Sequence, residues 1–303
     1  MKIFAPKYAK KFKCTAGSCR HNCCIGWEID IDAQTLDKYK TMPDIIITVE
    51  ARKEDKTCHF MLDENGRCLN LTERGLCRII CEHGNDYIPE ICREHPRFYN
   101  RTRRGVEMGI GMSCEEACRI ILSSDEHETV EYTDMPDDIV ELPDFDAAAN
   151  ISRIYEILFK NSKFYQERLS EIFTLCEIPQ AILENTTHWC EVFSSLEYLD
   201  ATHKLLFQKY TFEKTESEKH EPLLRRALAY FIYRHASPAS NLSDFRSRVA
   251  LALLFERLYA SLISSEKFLA KYGAHELARI ISEELEYSED NTDSLLFEID
   301  FLL

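Results

Sequence analysis

Along the 303-residue chain the apolar positions follow two different rhythms. From about residue 147 they recur at helical spacing, as in Leu224, Leu228 and Phe231, and again in Leu251, Leu254, Phe255, Leu258 and Leu262. Residues three and four apart share one face of an α-helix, so each set predicts a helix with an apolar side. Asn241 or Ser243 after Pro238, and Ser265 before Glu266 and Lys267, offer side-chain oxygens suited to helix starts. Only one glycine, Gly273, follows residue 111, so little interrupts these helices.

The first 124 residues lack that rhythm. Short apolar runs such as IIITV at 45–49 alternate with the turn-forming DENGRC at 63–68 and with GVEMGIGM at 105–112, which predicts short helices, a few short strands and loops. Between the two regions, residues 125–146 are acidic, carry two prolines and show no helical period. The expected fold class is therefore mainly α: a cysteine-rich, metal-binding N-terminal domain at 1–124, an acidic linker or loop at 125–146, and a helical bundle at 147–303.

Charge divides at nearly the same place. Residues 1–124 hold 20 Lys and Arg against 18 Asp and Glu, a balance of +2, whereas the remainder holds 17 against 34, a balance of −17. A strongly acidic second half argues against nucleic acid, whose phosphates need a basic face, and suits a cationic partner. The start, MKIFAPKYAKKFK, lacks the apolar run of a secretory signal, and VALALLFERLYASLI at 249–263 is interrupted by Glu256 and Arg257 and is too short to span a bilayer. A cytoplasmic protein without a membrane partner is expected.

In that compartment thiols stay reduced, so thirteen cysteines point to metal or redox chemistry and away from a disulfide framework. Eleven of them precede residue 119; Cys176 and Cys190, alone on helices, read as core residues. The spacings are Cys14-x4-Cys19, Cys19-x3-Cys23, Cys77-x3-Cys81 and Cys114-x3-Cys118, with none of the Cys-x2-Cys pairs usual in zinc fingers. Adjacent Cys23 and Cys24 are expected to point apart and to serve different metal ions. One tetrahedral zinc uses four ligands, so the supply exceeds one such site; iron–sulfur clusters are the alternative, and spacing alone does not choose between them. Cys58, Cys81 and Cys118 read equally well as small buried residues, and His21, His59, His83 and His95 as neighbours of the site more than as ligands. No Gly-x-Gly-x-x-Gly stands between a strand and a helix, which excludes a Rossmann-type cofactor site.

Several segments together resemble the flagellin lysine N-methylases. The opening carries Cys14, Gly17, Cys19, Cys23, Cys24, Gly26 and Trp27, followed by Ile29, Asp30, Ile31 and Asp32. Further matching blocks contain Cys68, Leu76, Cys77 and Ile79; Cys92, Pro96 and Arg97; and Ser113, Cys114, Glu116 and Ala117. ALAYFIYRH at 227–235 and YSEDN at 287–291 are similar to later family segments. The chain departs from the pattern at His95, where an aromatic residue is usual, and at Glu115, where a proline is usual. The resemblance implies eight metal-ligating cysteines, Cys14, Cys19, Cys23, Cys24, Cys68, Cys77, Cys92 and Cys114, holding a 4Fe-4S cluster, with zinc as the alternative. It further implies S-adenosylmethionine as methyl donor and flagellin lysines as acceptors. The competing expectation is a non-catalytic, metal-stabilised protein-binding module.

Overall fold

The computed structural model describes residues 2–53, 55–134, 143–160, 163–211 and 218–303. Contacts divide the chain into two compact units, Lys13–Phe98 with Cys114–Glu116, and Met1–Phe12 with Tyr99–Ser113 and Ala117–Leu303. The first strand, β1 (Lys2–Pro6), thus groups with the helical body, because its hydrogen-bonding partners lie beyond residue 104.

The cysteine-rich unit contains helices α1 (Ala33–Tyr39) and α2 (Pro43–Ile46), the antiparallel ribbon of β2 (Val49–Ala51) and β3 (Cys58–Phe60), and helices α3 (Arg78–His83) and α4 (Glu90–Glu94). Asp32 explains how two of these helices start: its carboxylate accepts from the Thr35 amide at 2.9 Å, capping α1, and from the Glu90 amide at 2.9 Å, at the first residue of α4. Burial acts to raise the Asp32 pKa, but these amides outweigh it and hold the carboxyl below its ordinary range. The core is small: Ile29, Ile31, Tyr39, Ile45, Phe60, Cys68, Ile79 and Ile88, with Cys24, Cys77 and Cys92 packed against it.

The body begins with a four-stranded sheet, ordered β4 (Arg97–Thr102), β5 (Gly105–Ile110), β1 and β6 (Thr129–Asp134), with helix α5 (Glu115–Leu122) between β5 and β6 in the chain. β1 runs parallel to β5, pairing Ile3 with Val106, and antiparallel to β6, pairing Ala5 with Val130. Gly105 permits the first pairing, since a Cβ there would lie 2.4 Å from the Lys2 carbonyl oxygen. Part of the expected linker is therefore a strand: TVEYT is rich in β-branched and aromatic residues and finds a sheet edge to join. Residues 135–142 of that segment lie outside the described residues.

The rest is helical: α6 (Ala147–Leu158), α7 (Tyr165–Leu175), α8 (Ala181–Glu184), α9 (Thr186–Ser195), α10 (Ala201–Phe207), α11 (Glu221–Ala236), α12 (Leu242–Ser264), α13 (Glu266–Tyr272), α14 (Ala274–Ile281) and α15 (Glu289–Leu302). α14 runs on into a π-helical turn, Ser282–Glu286. Asn241 caps α12 by accepting from the Asp244 amide at 3.0 Å, and Ser265 caps α13 by accepting from the Phe268 amide at 3.4 Å. The apolar stripe of α12 understates its burial, because every residue from 249 to 260 is buried. Glu256 and Arg257, which interrupt the apolar run, are inside as well: Tyr165 donates to Glu256 Oε1 at 3.0 Å and Arg257 donates to Gln166 at 3.2 Å. Among the described residues no helix is long and apolar enough to cross a membrane.

Candidate metal centre

The cysteine-bearing loops are shaped by close backbone contacts. Gly17 faces the carbonyl oxygen of Arg74, where a Cβ would stand at 2.5 Å, so the loop between Cys14 and Cys19 can reach the turn before Cys77 only with glycine. Asn22 joins the same two segments, donating to the Gly75 carbonyl at 3.1 Å while accepting from the Cys24 amide at 3.0 Å. The Cys68 amide donates to the Cys24 carbonyl at 2.9 Å, and the Gly26 amide to the Gly66 carbonyl at 2.8 Å. Leu71 then bridges to Cys77, which opens α3.

These links bring Cys23, Cys24, Cys68, Cys77 and Cys92 within electrostatic reach of one another. The interaction between the adjacent Cys23 and Cys24 thiols holds Cys23 down at about 7 and drives Cys24 far up, with burial and the charges of Cys23, Cys92 and Cys68 adding to the rise. Burial raises Cys68, Cys77 and Cys92, and neighbouring thiolates raise them further; at Cys77 the Ile80 and Ile79 amides oppose the shift. Cys19 sits at the edge of this group, raised by burial and by Glu115 and Cys23, and its thiol donates to Glu115 Oε2 at 3.6 Å. Glu115 also accepts from the Arg20 amide and from Arg20 Nε, each at 2.8 Å. The carboxylate that replaces a usual proline thus fastens the Cys19 loop to the residue after Cys114.

The other two expected ligands are placed differently. Cys14 is exposed and its sulfur accepts from the Ala16 amide at 3.4 Å. Cys114 is half-buried, directly before α5. Of the remaining cysteines, Cys118 and Cys176 are buried, Cys58 and Cys190 half-buried, and Cys81 exposed on α3 one turn beyond Cys77. Of the residues that bear on the thiols, Cys81 was marked by its spacing from Cys77 and Tyr39 by nothing in the sequence. Cys81 bears on the charge of Cys77. Tyr39 is fully buried, its hydroxyl donating to the Tyr87 carbonyl at 2.5 Å, and burial followed by the charges of Cys92, Cys77 and Cys68 pushes its pKa up.

Cys24, Cys68, Cys77 and Cys92 are all raised by burial and by neighbouring sulfurs, so a cation among them would favour their thiolate forms. A single zinc with bonds of about 2.3 Å would hold its sulfurs roughly 3.8 Å apart. Among the described residues no three cysteine sulfurs lie within 4.8 Å of one another. An all-sulfur set of five donors has the chemistry that zinc and iron–sulfur centres use.

The similarities found by comparison fall on this kind of protein. Over 130 residues, 40% of this chain, the sequence is 26% identical to the Lysine-N-methylase of Salmonella typhimurium and, equally, to that of Salmonella choleraesuis. The match covers 32% of each of those proteins, so the chain spans about a third of the length of the curated methylases it matches. A Flagellar biosynthetic protein FliU of Salmonella muenchen is 25% identical over 130 residues, which cover 77% of it. The resemblance to the flagellin lysine methylases is therefore met by named relatives. No family model matches the chain. No solved structure matches it.

Proposed function

We propose that this protein is an S-adenosylmethionine-dependent lysine N-methyltransferase acting on flagellin, with a 4Fe-4S cluster held by its N-terminal cysteines. The observation that carries the reading is double: the chain is similar to proteins named Lysine-N-methylase, and five of the thiols expected from the resemblance, between residues 23 and 92, act on one another's ionisation. The ligand set begins with Cys23, Cys24, Cys68, Cys77 and Cys92, with Cys19 beside them and Cys14 and Cys114 completing it. Bound there, the cluster would supply positive charge to the thiolates and an iron able to orient the amino and carboxylate groups of the methyl donor.

Methyl transfer needs a neutral amine as nucleophile. With an ordinary lysine pKa near 10.4, deprotonation at pH 7 costs about 4.6 kcal/mol, which the enzyme must reduce or offset. The acidic second half draws a lysine-bearing partner. Five tyrosines of the body, Tyr155, Tyr165, Tyr230, Tyr233 and Tyr259, keep their protons at neutral pH and so offer no phenolate as base, since burial raises each well above the ordinary value.

The test is mass spectrometry after anaerobic mixing of iron-loaded protein, S-adenosylmethionine and flagellin. Methyl masses on flagellin lysines are the expected result. Their absence with the metal demonstrably bound would move the assignment to a metal-stabilised binding module.

A further inference from the structure

Helix α15 carries apolar residues on two opposite faces. Asn291, Leu295 and Ile299 are buried and, standing four residues apart, form the face that packs into the body, where α15 lies against α12. Phe297 and Phe301 come two residues after Leu295 and Ile299, which turns them to the far side of the helix, and they are 71% and 80% exposed. A single apolar residue on a surface is ordinary. Two phenylalanines one turn apart are neighbours and make a continuous patch. Around them Glu289, Asp290, Asp293 and Asp300 are exposed as well.

The charges of this helix are all of one sign. No lysine or arginine stands between Glu289 and Leu302. Glu298 Oε2 lies 3.5 Å from His188 Nε2, whereas Glu289, Asp290, Asp293 and Asp300 meet no basic side chain among the described residues. Glu289 and Asp290 suit the positive end of the helix dipole, but Asp300 stands in the last turn, where the dipole favours a cation. Helix stability accounts for the first two and not for Asp300. Asp300 also lines a cleft of about 410 Å³ together with Glu177, Asn241, Ser243 and Asp244. Glu177 is paired with Arg246 and Asp244 with Arg248, so Asp300 is the carboxylate of that cleft left for an incoming cation.

Burial of Phe297 and Phe301 would drive a partner onto this face, and charge decides which partner. A second copy of the chain would set these carboxylates against one another, and nucleic acid or an anionic lipid surface would be repelled. A helix with apolar residues at three- and four-residue spacing, flanked by lysines or arginines, is complementary in both respects. We propose that the outward face of α15 is a docking site for a basic amphipathic helix of the protein whose lysines are methylated. The inference rests on the methyltransferase reading and adds to it a surface of the body that recognises the protein substrate.

The experiment measures flagellin binding to the iron-loaded full chain without methyl donor, and methylation kinetics with it, for the parent, F297S/F301S, D293N/D300N and F164S. Phe164, 70% exposed at the start of α7, is the control for loss of a surface aromatic elsewhere in the body. F297S/F301S is expected to weaken binding about 10-fold or more and to raise KM in proportion with kcat unchanged, while F164S stays parental. D293N/D300N is expected to weaken binding at low ionic strength and to lose much of the parent's salt dependence. The substituted side chains are all exposed, and melting at the parental temperature establishes that the fold is intact. Parental affinity in F297S/F301S, an equal loss in F164S, unchanged salt dependence in D293N/D300N, or no binding of flagellin by the parent would overturn the docking role. Self-association of the parent that F297S/F301S abolishes would overturn it too, in favour of a second copy on that face. Binding without methyl masses on flagellin would sink the methyltransferase reading while the face still docks flagellin, whereas methylation at parental KM in F297S/F301S would sink the docking and leave that reading standing.

Discussion

In the cysteine-rich unit the buried core is eight residues, and three cysteines pack directly against it. In the body, α12 alone buries every residue from 249 to 260, with Phe231, Phe255 and Tyr259 among the side chains that have no exposure. The contrast separates two ways of overcoming chain entropy. The body removes enough apolar surface from water to order its helices. The cysteine-rich unit, with short helices and a three-residue ribbon, has far less to remove, and Cys24, Cys68, Cys77 and Cys92 are raised by burial and by neighbouring sulfurs. Units this poor in core are where metal binding becomes folding energy.

Stripping the metal is the largest perturbation of that contrast. A structural metal site contributes on the order of 10–16 kcal/mol, comparable with or above the roughly 5–15 kcal/mol net stability of a whole domain. A chelator under reducing conditions should therefore open Lys13–Phe98 to proteolysis and hydrogen exchange while the body keeps its helical circular dichroism; simultaneous collapse of both would erase the distinction. Next in size is Leu254→Ala, a truncation at a site without exposure in α12, expected to cost about 2–5 kcal/mol. Thermal melting should fall accordingly, and iron content per folded protein should not change.

Acid offers a test of comparable size in the body. Burial lowers the His127 pKa to about 4, with the Ser124 carbonyl opposing the shift at 2.9 Å from Nε2. The imidazole is thus neutral when folded and takes up a proton on unfolding at any pH between about 6.5 and 4. In that window the unfolded state binds more protons, so stability falls as pH falls, by up to roughly 3 kcal/mol once pH drops below about 4. His127→Phe should flatten the dependence of melting temperature on pH between 6.5 and 4. The smallest effect belongs to the cap of α12: Asn241→Ala removes the acceptor for the Asp244 amide and is expected to cost about 1 kcal/mol by denaturant titration.

Much of this was readable in advance, and the reason is locality. Asn241 and Ser265 cap helices because the acceptor and the amide it serves are three residues apart. Leu251, Leu254, Phe255, Leu258 and Leu262 sit on one helix because periodicity is a property of neighbouring residues. The strand at Thr129–Asp134 was hidden inside an acidic segment because its partner, β1, is more than a hundred residues away and a strand is completed only by pairing. For the same reason adjacency alone could not set the surroundings of Cys23 and Cys24, which depend on the loop that Gly17, Asn22 and Gly75 close.

By itself the sequence determined the concentration of thiols ahead of residue 119, the helical character of the chain beyond residue 147, and the helix caps, since each depends on residue types or on contacts a few positions long. Only the tertiary structure decided that five of those thiols come within electrostatic reach of one another, that Glu256 and Arg257 face inward to Tyr165 and Gln166, and that Tyr230 and Glu286 close on Met112. Those outcomes depend on which distant surfaces pack, where the gain from burying one side chain has to exceed the entropy lost by many others, and no short stretch of chain encodes that balance.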